Sequence, residues 1–175
     1  MSADPRPLTG EPLALDLLNT RWMREGAAQD LLQDADGLAV WLAANALDGR
    51  FAADAATLRH TLQARDALRK AVDGGETAPL DAVLDHGRIR ATLTAEGPGE
   101  IPEFRDPAWG PAWLAARGYL ELLATAPDRI RGCAHEACIL HFFDTSRNGT
   151  RRWCSMAACG NRAKASRHYA RTQKP

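Results

Sequence analysis

Apolar residues along the first 127 positions recur mostly at helical spacing. The segment 8–20, LTGEPLALDLLNT, is apolar with few charges, and Asp16, Asn19 and Thr20 suit the ends of a short helix or turn. Asp34-Ala-Asp36-Gly37 precedes LAVWLAANAL, where Leu38, Trp41, Leu42 and Ala46 share one side of a helix. Asp54 opens a longer amphipathic segment carrying Leu58, Leu62, Leu68 and Val72, which Gly74-Gly75 closes. A shorter helix from Pro79 to about His86 leads into Arg88–Thr94, whose polar and apolar residues alternate as in a strand. Gly97-Pro98-Gly99 reads as a turn and Glu100–Phe104 as the partner strand, giving one small β-hairpin. Helical spacing resumes at Pro111 through Trp113, Leu114, Leu120, Leu122 and Leu123, and Pro127-Asp128-Arg129 marks a boundary. The expected fold is α+β and mainly helical, with a helix-rich domain over 1–127 and a second unit over 128–175.

Charge changes the picture. The chain of 175 residues is formally neutral, but all 22 acidic residues lie at or before Asp144, against 14 basic ones there. Residues 145–175 carry eight basic residues and no acid. An acidic body with a basic tail points to nucleic acid or another anionic partner. No stretch approaches the roughly 18 apolar residues that cross a bilayer, and the N-terminus lacks a signal-like cationic and apolar start, so a cytoplasmic location is expected and no membrane partner.

The second unit holds all four cysteines. Cys133 and Cys138 form one Cys-x4-Cys pair and Cys154 and Cys159 another, fifteen residues apart. In a reducing compartment such pairs read as metal ligands rather than disulfides. Four thiolates suit tetrahedral Zn2+; ligand type alone also admits iron, but an electron carrier gains nothing obvious from a basic helix. Ile139–Asp144 reads as a strand, Arg147-Asn148-Gly149 as a tight turn and Arg151-Arg152-Trp153 as the returning strand; Cys159 then opens a helix-favouring run. Turn, hairpin, turn and helix in that order describe a treble-clef zinc finger. A module this short folds only with its metal, so losing Cys154 is expected to unfold it and spare the body. His135, His141 and His168 are expected to be surface or packing residues because the cysteines already complete the tetrahedron.

Cys133 and Cys138 followed by DTSRNGTRRWCSMAACGNRAKASRHYAR closely resemble the CGNR-type zinc finger. LALDLLNT and the helix-hairpin-helix order resemble the ABATE domain, with which that finger is joined in bacterial proteins described as stress-induced transcriptional regulators. The resemblance implies the same four metal ligands and a regulatory function.

On the final helix, Lys164, Arg167, His168, Arg171 and Lys174 share one face, while Arg162 and Tyr169 point away, Arg162 toward an acid such as Asp144. Arg147, Arg151, Arg152, Lys164, Arg167 and Arg171 are therefore the candidate DNA contacts, with Gly160 and Asn161 given structural roles. Double-stranded DNA is favoured over RNA because no platform of stacking aromatics is interleaved. The alternative is a protein-interaction module that binds an acidic surface. A homodimer would suit paired half-sites, although no heptad seam is visible, and Trp22, Trp41, Trp109 and Trp113 could line an effector pocket or fill the core. Asp16, Glu25, His60 and His86 occur singly, without a nucleophile or cofactor motif, so no enzyme is expected.

Overall fold

A computed structural model describes residues 3–164. Helix α1, Leu13–Leu18, lies at the centre, with Ala14, Leu15, Leu17 and Leu18 wholly buried. Helix α2, Ala35–Ala44, starts where the Asp34 carboxylate accepts from the Gly37 amide at 2.9 Å. Helix α3, Ala55–Gly74, is capped at its start by Asp54 on the Thr57 amide and ends at Gly75, whose φ of 69° closes the helix in the left-handed region. Helices α4, Ala78–Leu84, and α5, Gly110–Thr125, complete the body, and the core runs through all five helices.

Two hairpins decorate the helices where the sequence suggests one. Strands β1, Arg21–Arg24, and β2, Ala27–Asp30, are joined by Glu25 and Gly26, both at positive φ (53° and 81°). That is the geometry of a two-residue type I′ turn, whose twist matches the strands. Each strand is too short to show a period, and Glu-Gly is a weaker turn signal than Asn-Gly. In the second hairpin, β3 spans Gly87–Thr94 and β4 spans Gly97–Phe104, so Gly97-Pro98-Gly99 belongs to the strand and Ala95-Glu96 forms the turn. Gly87 sits flat on the Trp113 indole, where a Cβ would lie 2.8 Å from the ring.

The C-terminal unit departs from expectation in its pairing. Strand β6, His141–Phe143, pairs antiparallel with β5, Ile130–Gly132, upstream of the cysteines. Residues 151–153 form no strand; the Asp144 carboxylate instead accepts from the amides of Ser146 and Arg151, both at 2.9 Å, and closes the loop between them. A buried carboxylate thus replaces the backbone ladder that the Asn-Gly turn suggests. A π-helical turn, Met156–Gly160, leads into helical residues 161–164. Among the described residues no helix is long and apolar enough to cross a membrane.

Candidate metal centre

Cys133 leaves β5 and its amide donates to the Leu140 carbonyl at 2.9 Å, continuing the β5–β6 pairing by one residue. A tight turn, with the Cys138 amide on the His135 carbonyl at 2.9 Å, brings Cys138 back beside it. The Ala134 amide reaches the Arg152 carbonyl at 2.8 Å, which draws the second half of the module against the first. Ser155 caps the π-helical turn through the Ala158 amide, placing Cys154 before the turn and Cys159 within it.

All four sulfurs lie within 4.8 Å of one another, with Cys138–Cys154 at 3.8 Å and Cys154–Cys159 at 3.6 Å. A tetrahedron with metal–sulfur bonds of about 2.3 Å has edges of about 3.8 Å, so the donor set fits one ion of that size. The Cys154 amide points at the Cys133 sulfur at 3.4 Å, the kind of second interaction that orients a thiolate ligand. Without a cation the four groups cannot ionise together. The Cys138 thiol is drawn down to about 5 by the neighbouring Cys154 thiol, whereas Cys154 is pushed up by Cys138 and Cys159 is pushed up to about 12, chiefly by burial. Only a multivalent cation lets four thiolates coexist at such separations.

The histidines stay out of the cluster. His135 accepts from the Ala137 amide within the turn, and the His141 ring bonds Asp73 on α3 at 2.9 Å; His168 lies outside the described residues. Gly160 is tight against Met156 and Trp153, and the Asn161 side-chain amide reaches the Ala157 carbonyl at 3.5 Å.

The centre is fused to the helical body. Trp22 of β1 packs with Leu140, Phe142, Cys154 and Cys159 in one buried cluster that Leu8 and Leu31 extend. On its free edge, β6 meets side chains instead of a strand. Asn19 donates to the His141 carbonyl at 2.8 Å and accepts from its amide at 2.9 Å, and Glu11 accepts from the Phe143 amide at 2.8 Å. Asn19 does occupy the C-cap of α1, its backbone amide on the Leu15 carbonyl, but its side chain serves β6; Asp16 lies within the helix and is not a cap. Asp16 is a buried hub that accepts from Arg6 at 2.7 Å and from Trp41 and Asn45 at 3.0 Å. None of this long-range use was legible; the only trace is the presence of Asp16 and Asn19 inside an otherwise apolar run.

The candidate DNA contacts divide. Arg147, Arg152 and Lys164 are exposed, Arg152 lying over the Trp153 ring at 5.2 Å. Arg151 turns inward, stacking 4.2 Å over Phe142, donating to the carbonyls of Trp153 and Cys154 and lying 3.7 Å from Glu11. Arg162 is exposed and not paired with Asp144, whose carboxylate lies 3.7 Å from the Arg131 guanidinium and whose carbonyl accepts from Arg129 at 2.9 Å. Arg167, Tyr169, Arg171 and Lys174 lie outside the described residues. Trp22, Trp41, Trp109 and Trp113 are all buried core residues.

Two family models cover this arrangement. The one described as "CGNR zinc finger" matches residues 129–172, and the ABATE model, described as "Putative stress-induced transcription regulator", matches residues 11–126. No curated protein matches the chain. With the helical body matched along its length and four cysteine sulfurs gathered behind it, the chain belongs to the ABATE family and carries a CGNR zinc finger.

Proposed function

We propose that the protein is a zinc-containing transcriptional regulator that contacts duplex DNA through its finger. The observation that carries this reading is the charge segregation: no acid follows Asp144, and Arg147, Arg152, Arg162 and Lys164 are exposed on the finger without an ion pair among the described residues. Arg162 takes the place of Arg151 among the cations facing outward, with Arg167 and Arg171 added from the sequence. Six such groups on phosphates would give a log–log salt slope of about −5. Zn2+ would be held by Cys133, Cys138, Cys154 and Cys159, and its contribution would be structural, since four protein thiolates leave no coordination position for water or substrate. The reading is accordingly of a non-enzymatic protein.

The test is an anisotropy titration of the zinc-loaded chain on promoter and random duplexes across a salt series. A slope near the stated value, with both duplexes bound at low salt, supports DNA contact. No binding at low salt overturns it and leaves an acidic protein surface as the finger's partner.

A further inference from the structure

The β3–β4 hairpin packs its apolar residues on the body at one end, and midway along it Glu100 of β4 lies 3.9 Å from Arg117 of α5. At its base Phe104 packs edge-on against Trp113, with ring centroids 5.6 Å apart, while toward its tip Leu93 is 83% exposed. No other described strand pairs with either edge. A two-stranded hairpin is marginal by itself, and an open edge invites a further strand.

The two edges are unequal. The Arg105 amide donates to the His86 carbonyl, which places even-numbered residues of β3 and odd-numbered residues of β4 on the inside of the ladder. Pro98 and Pro102 then fall on the outward side of β4, opposite Leu93 and Ile89, and remove donors from that edge. The outward residues of β3 are Gly87, Ile89, Ala91 and Leu93, each with a free amide and carbonyl direction and none of them proline. One edge is blocked and the other is open.

We propose that the open β3 edge pairs antiparallel with β3 of a second copy of this chain, about a twofold axis at Ala91, to form a four-stranded sheet β4-β3-β3-β4. An isologous contact must satisfy itself, and this register does so. Ile89 meets Leu93 of the other copy, covering the most exposed leucine, while Arg90 meets Thr92 and Arg88 meets Thr94. A twofold at Arg90 would instead set that arginine against its own copy, and one at Ile89 would set Arg88 against Arg90; both oppose like charges. Within each chain Arg88 and Arg90 are already held by Glu103 on that face, so the new sheet carries no unbalanced cation row. The outward residues that pair with one another in this register, Ile89, Ala91 and Leu93, bury well under the roughly 800 Å² per partner of a standard interface, so the dimer dissociates on dilution.

Sedimentation of the full-length, zinc-loaded chain over a concentration series tests this, with Ala91→Pro and Leu93→Lys alongside. Ala91→Pro removes an outward amide and leaves the intrachain ladder intact, as Pro98 and Pro102 do on β4. The wild type is expected to rise from 19.0 kDa toward twice that mass, and both variants to stay at 19.0 kDa. A wild type that remains monomeric, whether or not it captures an extended peptide from another protein, overturns the proposal, as does a Leu93→Lys chain that still dimerises. Leu93→Lys decides the matter if Ala91→Pro fails to fold, because an 83% exposed side chain does not hold the monomer together. A dimer that ignores DNA, or a monomer that binds it, separates this inference from the DNA reading.

Discussion

The side chain of Asn19 and the backbone of His141 exchange two hydrogen bonds, at 2.8 and 2.9 Å, across 122 residues of chain. Asn19 presents a carbonyl and an amide side by side, as a neighbouring strand would, and so stands in for one along the free edge of β6. Through this contact the helical body shapes the metal-binding unit.

Asn19→Ala strands two buried backbone groups of β6 and is expected to cost about 2–4 kcal/mol. Asn19→Asp is expected to be at least as damaging, since a carboxylate cannot donate to the His141 carbonyl. Urea unfolding of the two variants checks both, and a loss below about 1 kcal/mol for Asn19→Ala would contradict the contact's role.

Cys154→Ala is expected to abolish stoichiometric zinc and to lower the melting temperature of the whole molecule by about 5 °C or more, because Trp22, Leu140 and Phe142 lose part of their shared burial. The structure thereby revises the expectation that the body would be spared. Metal analysis and a thermal melt followed by circular dichroism read both effects; an unchanged body transition in the zinc-free variant would show that the units are uncoupled.

Two adjacent arginines should behave oppositely. Arg152→Ala is expected to weaken DNA binding several-fold and reduce the salt slope by about one, with stability unchanged. Arg151→Ala is expected to destabilise the fold by about 1–3 kcal/mol through the lost carbonyl contacts and ring stacking. Anisotropy and denaturation measured on both variants separate the roles, and a stability loss for Arg152→Ala equal to that of Arg151→Ala would refute the division.

His60 and His86 stack on opposite faces of Trp109, with centroid distances of 3.9 and 3.5 Å. Burial, aided by Arg59, holds the His60 imidazole below its ordinary value of 6.5, and its Nδ1 is buried with no hydrogen-bond partner among the described residues. The unfolded chain therefore takes up this proton first as pH falls. Stability is expected to be full above about pH 6.5 and to decline below it, and His60→Gln to flatten that part of the profile. Denaturation midpoints from about pH 7.5 to 5.5 check the slope; equal slopes in both proteins would count against His60.

Much of the secondary structure was legible because it is written in local chemistry. Asp34, Asp54 and Gly75 cap where their neighbours in sequence require, and apolar spacing marks α3 and α5 as helices but not their buried faces: Leu68 and Trp113 are buried, Leu120 and Leu123 are exposed, and small residues such as Ala64, Ala67, Ala112, Ala115 and Ala116 line the contact. Cys133, Cys138, Cys154 and Cys159 were equally plain, since thiolate chemistry needs those residue types at close spacing. The β1–β2 hairpin was not, because four-residue strands carry too little period and Glu25 takes a positive φ that its side chain does not announce.

The sequence by itself determined a helix-rich body, a four-thiolate site and a one-sided charge distribution, all consequences of residue type and short-range spacing. Only the tertiary structure decided which strand β6 would pair with, that Asp144 would close the loop in place of a ladder, and that Arg151 would face inward while Arg162 faced out. Asp144 finds its partner seven residues on, whereas β6 and Arg151 are held from more than a hundred residues away by Asn19 and Glu11. The physical reason is that a desolvated hydrogen-bonding group must be satisfied somewhere, and nothing in its local sequence says where.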